Sequence, residues 1–196
     1  MKKTLIVLLM VIVAVSLFVG CKNEPEAKTY KVGDTGPACG IIFYVNPNAE
    51  EDGWTYLEAG KSDLASTSWN SENAKVDCGT KEGIGEGLNN TRLLYEKNTP
   101  DEKYKYGVAY SVYGKDLYET GHYDWFVPSK EELKLLINKN SDFEVDVFYW
   151  SSSETYEYGT GEVTNTAYAV KNVSDGLFSG PQERNMVYRV RPVRRF

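Results

Sequence analysis

The stretch "YDWFVPSKEELKLL" (residues 123–136) sets a proline and an acidic cluster between aromatic and aliphatic residues. Ser129 and Glu132 stand in the order S-x-x-E, just ahead of Leu133, Leu135, Leu136 and Ile137. At that spacing a serine oxygen accepts the backbone N–H three residues on, while the glutamate reaches back to the serine's own N–H. Pro128 stiffens the approach and holds Val127 extended. Val127 and Leu133 bracket the cap as a hydrophobic staple. The segment predicts a helix opening at Ser129, with Trp125 and Phe126 as core anchors. The enzymatic alternative makes Glu131 or Glu132 a general acid or base. A helix N-terminus lowers a carboxylate pKa and works against that role.

Upstream, "CGIIFYV" (39–45) is β-branched and aromatic and reads as a buried strand. "NPNAEEDG" (46–53) reads as a turn and "WTYLEA" (54–59) as the returning strand. Residues 62–87 are polar and glycine-bearing, with Trp69 the one aromatic side chain, and read as a long irregular loop that Cys78 pins. Two helices are expected next, over about 87–96 and 101–112. Tyr106, Tyr110 and Tyr113 share one face of the second, where tyrosines pack with their hydroxyls at the rim.

Downstream, "FYWSSSETY" (148–156), "TAYAVKN" (166–172), "GLFSG" (176–180) and "VYRVRPVRRF" (187–196) are strand-like, and Asp175-Gly176 is a hairpin signal. Pro192 marks an edge or a strand end. Strands at both ends of a helical middle, followed by a meander, give an α+β domain.

The chain opens on "MKKTLIVLLMVIVAVSLFVGC", with two lysines, an apolar run, a small residue and Cys21. The run is shorter than the ~20 residues of a spanning helix and has the organisation of a secretory signal. The cysteine after Gly20 resembles a bacterial lipoprotein signal, cleaved after residue 20, with lipid on Cys21. Residues 1–20 are then the signal peptide, 21–29 a flexible tether and 30–196 a single domain. Lys22 following the cysteine, in place of aspartate, points to the outer membrane or cell surface.

The formal charge is −6, and loss of Lys2 and Lys3 with the signal makes the mature chain more acidic. That excludes the basic stripe of a nucleic-acid binder and leaves membrane attachment to the lipid. With Cys21 lipidated, Cys39 and Cys78 remain, in an oxidising compartment. A disulfide between them is the expectation, worth about 4 kcal/mol in the loop-entropy model; two separate thiols are the alternative.

No catalytic or metal constellation emerges. His122 is the single histidine, too few for a zinc site. Asn46, Asn48, Glu50 and Asp52 alternate as oxygen ligands but lack the glycine of a calcium loop. Ser151, Ser152 and Ser153 lack a G-x-S-x-G elbow and read as outward positions on a strand. "GIGEG" (83–87) follows no strand and is no phosphate loop. No cofactor, metal or catalytic residue is expected.

"YKVGDTGPACGIIFYV", "GWTYLEA", "YDWFVPSKEELKLL", "YWSSSE" and "VYRVRPVRRF" occur in that order over nearly all of residues 30–196. The series resembles a bacterial lipoprotein domain of uncharacterised function, related to the C-terminal domain of collagen-like adhesins. The resemblance implies a C-type-lectin-like fold, similar to that of sulfatase-modifying enzymes, with antiparallel strands, two or three helices, and paired N- and C-terminal strands (39–45 with 187–196). Those enzymes use cysteines late in the domain, which this chain lacks, and the lectin calcium triplets are also missing. The expected function is a membrane-anchored, extracytoplasmic, non-catalytic module for carbohydrate or for envelope or host protein. Its ligand surface is expected at residues 154–164, where Tyr156 and Tyr158 stand beside Glu154 and Glu162. The alternatives are a carboxylate-dependent glycoside hydrolase of the envelope and a structural or assembly lipoprotein.

Overall fold

The computed structural model describes residues 28–70, 76–98 and 107–196. The signal segment, Cys21 and most of the tether lie outside the described residues, as do 101–106 of the second expected helix. The described residues form an α+β arrangement of two largely antiparallel sheets and four helices. None of these helices is long and apolar enough to cross a membrane.

The first sheet has the order β1-β2-β8, where β1 is Ile41–Val45, β2 Tyr56–Ala59 and β8 Val193–Arg195. β2 stands in the middle and pairs antiparallel with both neighbours. The expected direct pairing of the terminal strands is therefore corrected, because β2 separates them. The link from β1 to β2 is one helical turn, α1 (Ala49–Asp52), where the sequence predicted a plain turn. Gly53 ends it at φ 72, the left-handed conformation that glycine adopts most readily.

The second sheet has the order β3-β7-β4-β5-β6, comprising Leu64–Ser68, Val187–Val190, Phe148–Tyr156, Val163–Val173 and Gly176–Glu183. β3 lies within the stretch expected to be loop; its sequence, LASTS, is too small and polar to announce a strand. The expected strand over 187–196 breaks at Arg191–Pro192 into β7 and β8, one in each sheet. The proline, which cannot donate to a ladder, marks the crossover. Val173 pairs with Gly176, which leaves Ser174 and Asp175 as the two-residue hairpin loop.

The five-stranded sheet is covered on both faces. Tyr149 and Trp150, adjacent on β4, go to opposite clusters as the strand's twofold alternation requires. The Trp150 cluster includes Trp69, Leu94 of α2 (Gly87–Asn98), Val108 and Val112 of α3 (Val108–Val112), Trp125 and Val127. The Tyr149 cluster includes Phe43, Leu57, Phe126, and Leu133, Leu136 and Ile137 of α4 (Lys130–Lys139). Trp125 and Phe126 are both buried and anchor one cluster each. Val127 and Leu133 likewise divide between the clusters, so they do not form the expected staple. Tyr110 and Tyr113 both pack on Tyr95 of α2, at centroid distances of 6.4 and 4.5 Å.

Candidate functional site

Three glutamates are withdrawn from solvent, and each holds a loop by its backbone. Glu58 accepts the N–H groups of Ala38 and Gly40 and pairs with Arg194 at 3.0 Å. Gly36 and Gly40 let it approach: a Cβ on Gly36 would stand 2.4 Å from the Glu58 carboxyl carbon. Glu154 accepts from Cys78 and Thr80 and pairs with Arg184 at 3.1 Å. Glu132 accepts from Ser129 and Gly85, at 2.7 and 2.8 Å.

Glu132 completes the expected capping box, with Ser129 Oγ accepting its N–H. The helix terminus was expected to lower its pKa, and that expectation is corrected. Glu132 is fully buried, and loss of hydration pushes its pKa up to about 7 against the opposing pull of the Ser129, Gly85 and Gly87 amides and of Arg195.

The loop that Glu132 holds lines a cavity of about 210 Å³, bounded by Asp52, Trp54, Ile84, Gly85, Glu86 and Arg195. Three other bonds fix this loop. Ser129 Oγ donates to the Gly83 carbonyl, the Glu131 amide to that of Glu82, and Arg195 Nη1 to that of Gly85. On the opposite wall, Asn46 Nδ2 donates to Asp52 Oδ2 at 2.9 Å and to the Trp54 carbonyl at 3.1 Å. The Arg195 guanidinium lies 5.9 Å from the Trp54 ring centroid, and Gly85 leaves room for the indole edge. The cavity thus joins an indole, an exposed isoleucine, two carboxylates and a guanidinium. It offers an apolar contact, hydrogen-bond acceptors and a charged donor within one small space.

The expected ligand residues are not gathered in the same way. Glu154 is 1% exposed and committed to Arg184 and the 78–80 backbone, so its place in a surface site is corrected. Tyr156 is partly exposed and its hydroxyl approaches Glu154 and Asp77, both at 3.4 Å. Tyr158 is fully exposed in the turn after β4, and Glu162 is exposed at the far side of that turn. An aromatic ring and two carboxylates share a lining instead at the Trp54 cavity, where Trp54 is 8% exposed and Asp52 and Glu86 line the same space. Sequence reading missed it because Asp52 and Trp54 meet Glu86 and Arg195 only through the fold.

The three serines expected to face outward are all buried. Ser151, Ser152 and Ser153 donate to the carbonyls of Tyr168, Pro128 and Lys81 and stitch β4 to its surroundings. Ser153 Oγ also accepts the first amide of α4, from Lys130. Cys39 and Cys78 are both free in the structure, Cys39 exposed and Cys78 buried. The loop carrying Cys78 is pinned by Glu154 where a disulfide was expected. Among the described residues, no group of three or more acidic, histidine or cysteine side chains is placed to hold a metal. No protein-family model matches the chain, and no curated protein is significantly similar to it.

Proposed function

We propose that the chain is a non-catalytic binding module held outside the cytoplasm by lipid on Cys21, with the Trp54 cavity as a carbohydrate subsite. The observation that carries the reading is the cavity itself, which Trp54, Asp52 and Glu86 line together, with Arg195 over the indole ring. A pyranose has an apolar C–H face that packs on an indole and hydroxyls that donate to carboxylates and accept from a guanidinium. A cavity of about 210 Å³ suits one such ring. The C-type-lectin-like fold belongs to the same proposal. It is supported by the early β1–β2 pair meeting the last strand β8, beside a second, mostly antiparallel sheet. The signal organisation of residues 1–21 and the acidic mature chain support attachment by lipid.

The test is an array of glycans and matrix proteins probed with soluble residues 30–196, alongside Trp54→Phe and Asp52→Asn variants. Glycan binding weakened by both variants is expected. No binding across the array, together with unchanged adhesion in a deletion strain, overturns the reading. A second reading, glycoside hydrolysis, is favoured by one specific observation: Asp52 and Glu86 line the same cavity. Turnover of a labelled oligosaccharide that Glu86→Gln abolishes would establish it in place of the first.

A further inference from the structure

A second cavity, of about 240 Å³, lies between the Thr35–Ile41 turn, Gly60–Lys61 and the Asn140–Asp142 loop, with Arg191 in its wall. It shares no lining residue with the Trp54 cavity. The Arg191 side chain is only 7% exposed. Its Nε donates to Asp63 Oδ1 at 2.6 Å, and its guanidinium lies 4.7 Å from the Phe143 ring centroid. One edge and one face of the group are therefore fixed. Among the described residues its terminal nitrogens donate no hydrogen bond.

Asp63 is already shared, since it also accepts from the Tyr149 hydroxyl and from Arg189. Lys61 lines the same cavity, lies 5.5 Å from the Tyr118 ring centroid and makes no ion pair among the described residues. Asp142 also lines the cavity and is exposed, so solvent screens its charge. In a chain of formal charge −6, two cations with unused donors meet at one small concavity.

We infer that this cavity binds a small carboxylate ligand, with Arg191 as its bidentate partner and Lys61 as a second cation. A guanidinium's terminal N–H groups match the two oxygens of a carboxylate. Because Asp63 and Phe143 already hold the group, little side-chain freedom is lost on binding. The inference is independent of the sugar reading of the Trp54 cavity.

Cys39 is exposed and lines this cavity, whereas Cys78 is buried. Alkylation of Cys39 by iodoacetamide in soluble residues 30–196 is therefore a built-in reporter. Succinate is the probe, with succinamide as its neutral isostere and inorganic phosphate as a competing oxyanion. Succinate is expected to bind in calorimetry and slow Cys39 alkylation several-fold, while succinamide does neither. Lys61→Gln, an exposed change, and Arg191→Lys, which keeps the charge but not the fork, are each expected to weaken succinate on the order of tenfold. Thermal melting checks that both variants fold. Equal effects of succinate and succinamide, phosphate binding as tightly as succinate, or undiminished binding by Lys61→Gln would each overturn the inference.

Discussion

Glu132 Oε1 accepts the backbone N–H of Gly85 at 2.8 Å, across 47 positions of the chain. Its Oε2 accepts the Ser129 N–H, the bond that closes the cap of α4. One carboxylate therefore starts a helix and holds the loop that lines the Trp54 cavity. Unlike Glu58 and Glu154, it has no arginine within ion-pair distance among the described residues. Burial then sets its titration, and the cost of charging it falls on the folded state.

That difference predicts a pH-dependent stability. The folded pKa is raised to about 7 from an ordinary 4.5 by burial. A raised carboxyl pKa means that the folded state binds the proton more tightly than the unfolded chain. The contribution is complete below about pH 4.5 and is lost as pH rises through about 7. The separation amounts to about 3 kcal/mol. Urea unfolding of the wild type and Glu132→Gln, which keeps a capping acceptor, should show a stability difference that changes by about that amount between these limits. A difference independent of pH would contradict the assignment.

Close approach of loops to the glutamates depends on glycine. A Cβ on Gly40 would stand 2.0 Å from the Ala59 carbonyl oxygen, where β2 backbone leaves no room to yield. Gly53, at φ 72, has nothing within 4 Å. Gly40→Ala should therefore cost about 3 kcal/mol or more by overpacking, and Gly53→Ala only about 1 kcal/mol of backbone strain. Thermal melts giving equal losses would show that the β1 turn relaxes around the added methyl.

How far these relationships could be read in advance depended on their range along the chain. The capping box was legible because Ser129 and Glu132 are three residues apart. The bond from Glu132 to Gly85 was not, since nothing near either residue announces it. Ser151 to Ser153 were misplaced because a second covered face of the sheet leaves no outward side to β4, and their hydroxyls are satisfied by carbonyls from three separate segments. The aromatic–carboxylate chemistry was anticipated at 154–162 from adjacency in sequence. The Trp54 cavity instead draws its residues from α1, the link between α1 and β2, β8 and the loop before α2. Pro192 foretold a strand end, but not that the two halves would enter different sheets.

The two thiols should behave very differently. Cys39 is exposed, whereas Cys78 is buried and its pKa is pushed up to about 12 by burial and by the nearby Glu154 charge. Thiolate is the reactive form, so Cys78 should be inert at neutral pH. Soluble residues 30–196 should release one equivalent of chromophore quickly from a disulfide reagent and a second only on unfolding. Absence of any fast thiol in oxidised preparations would favour the disulfide expected from the sequence over two free cysteines.

Arg184 and Glu154 test whether the buried pair is a stabilising unit. Both side chains are fully buried, and the guanidinium also donates to the carbonyls of Val76 and Thr166 and lies 4.5 Å from the Trp69 ring centroid. Arg184→Met removes the cation and leaves Glu154 charged among the Cys78 and Thr80 donors. Breaking one side of a buried pair costs about 3–5 kcal/mol, because the remaining charge has no counterion and no water. Glu154→Gln should cost a similar amount by removing the carboxylate that pairs with Arg184. The double variant removes both charges at once, so its loss should be well below the sum of the single losses. Urea unfolding of all four proteins gives the coupling directly. Additive losses, or a single loss below about 1 kcal/mol, would mean that the Cys78–Thr80 loop is held by its amide bonds alone and that the arginine acts through its carbonyl bonds and its packing against Trp69.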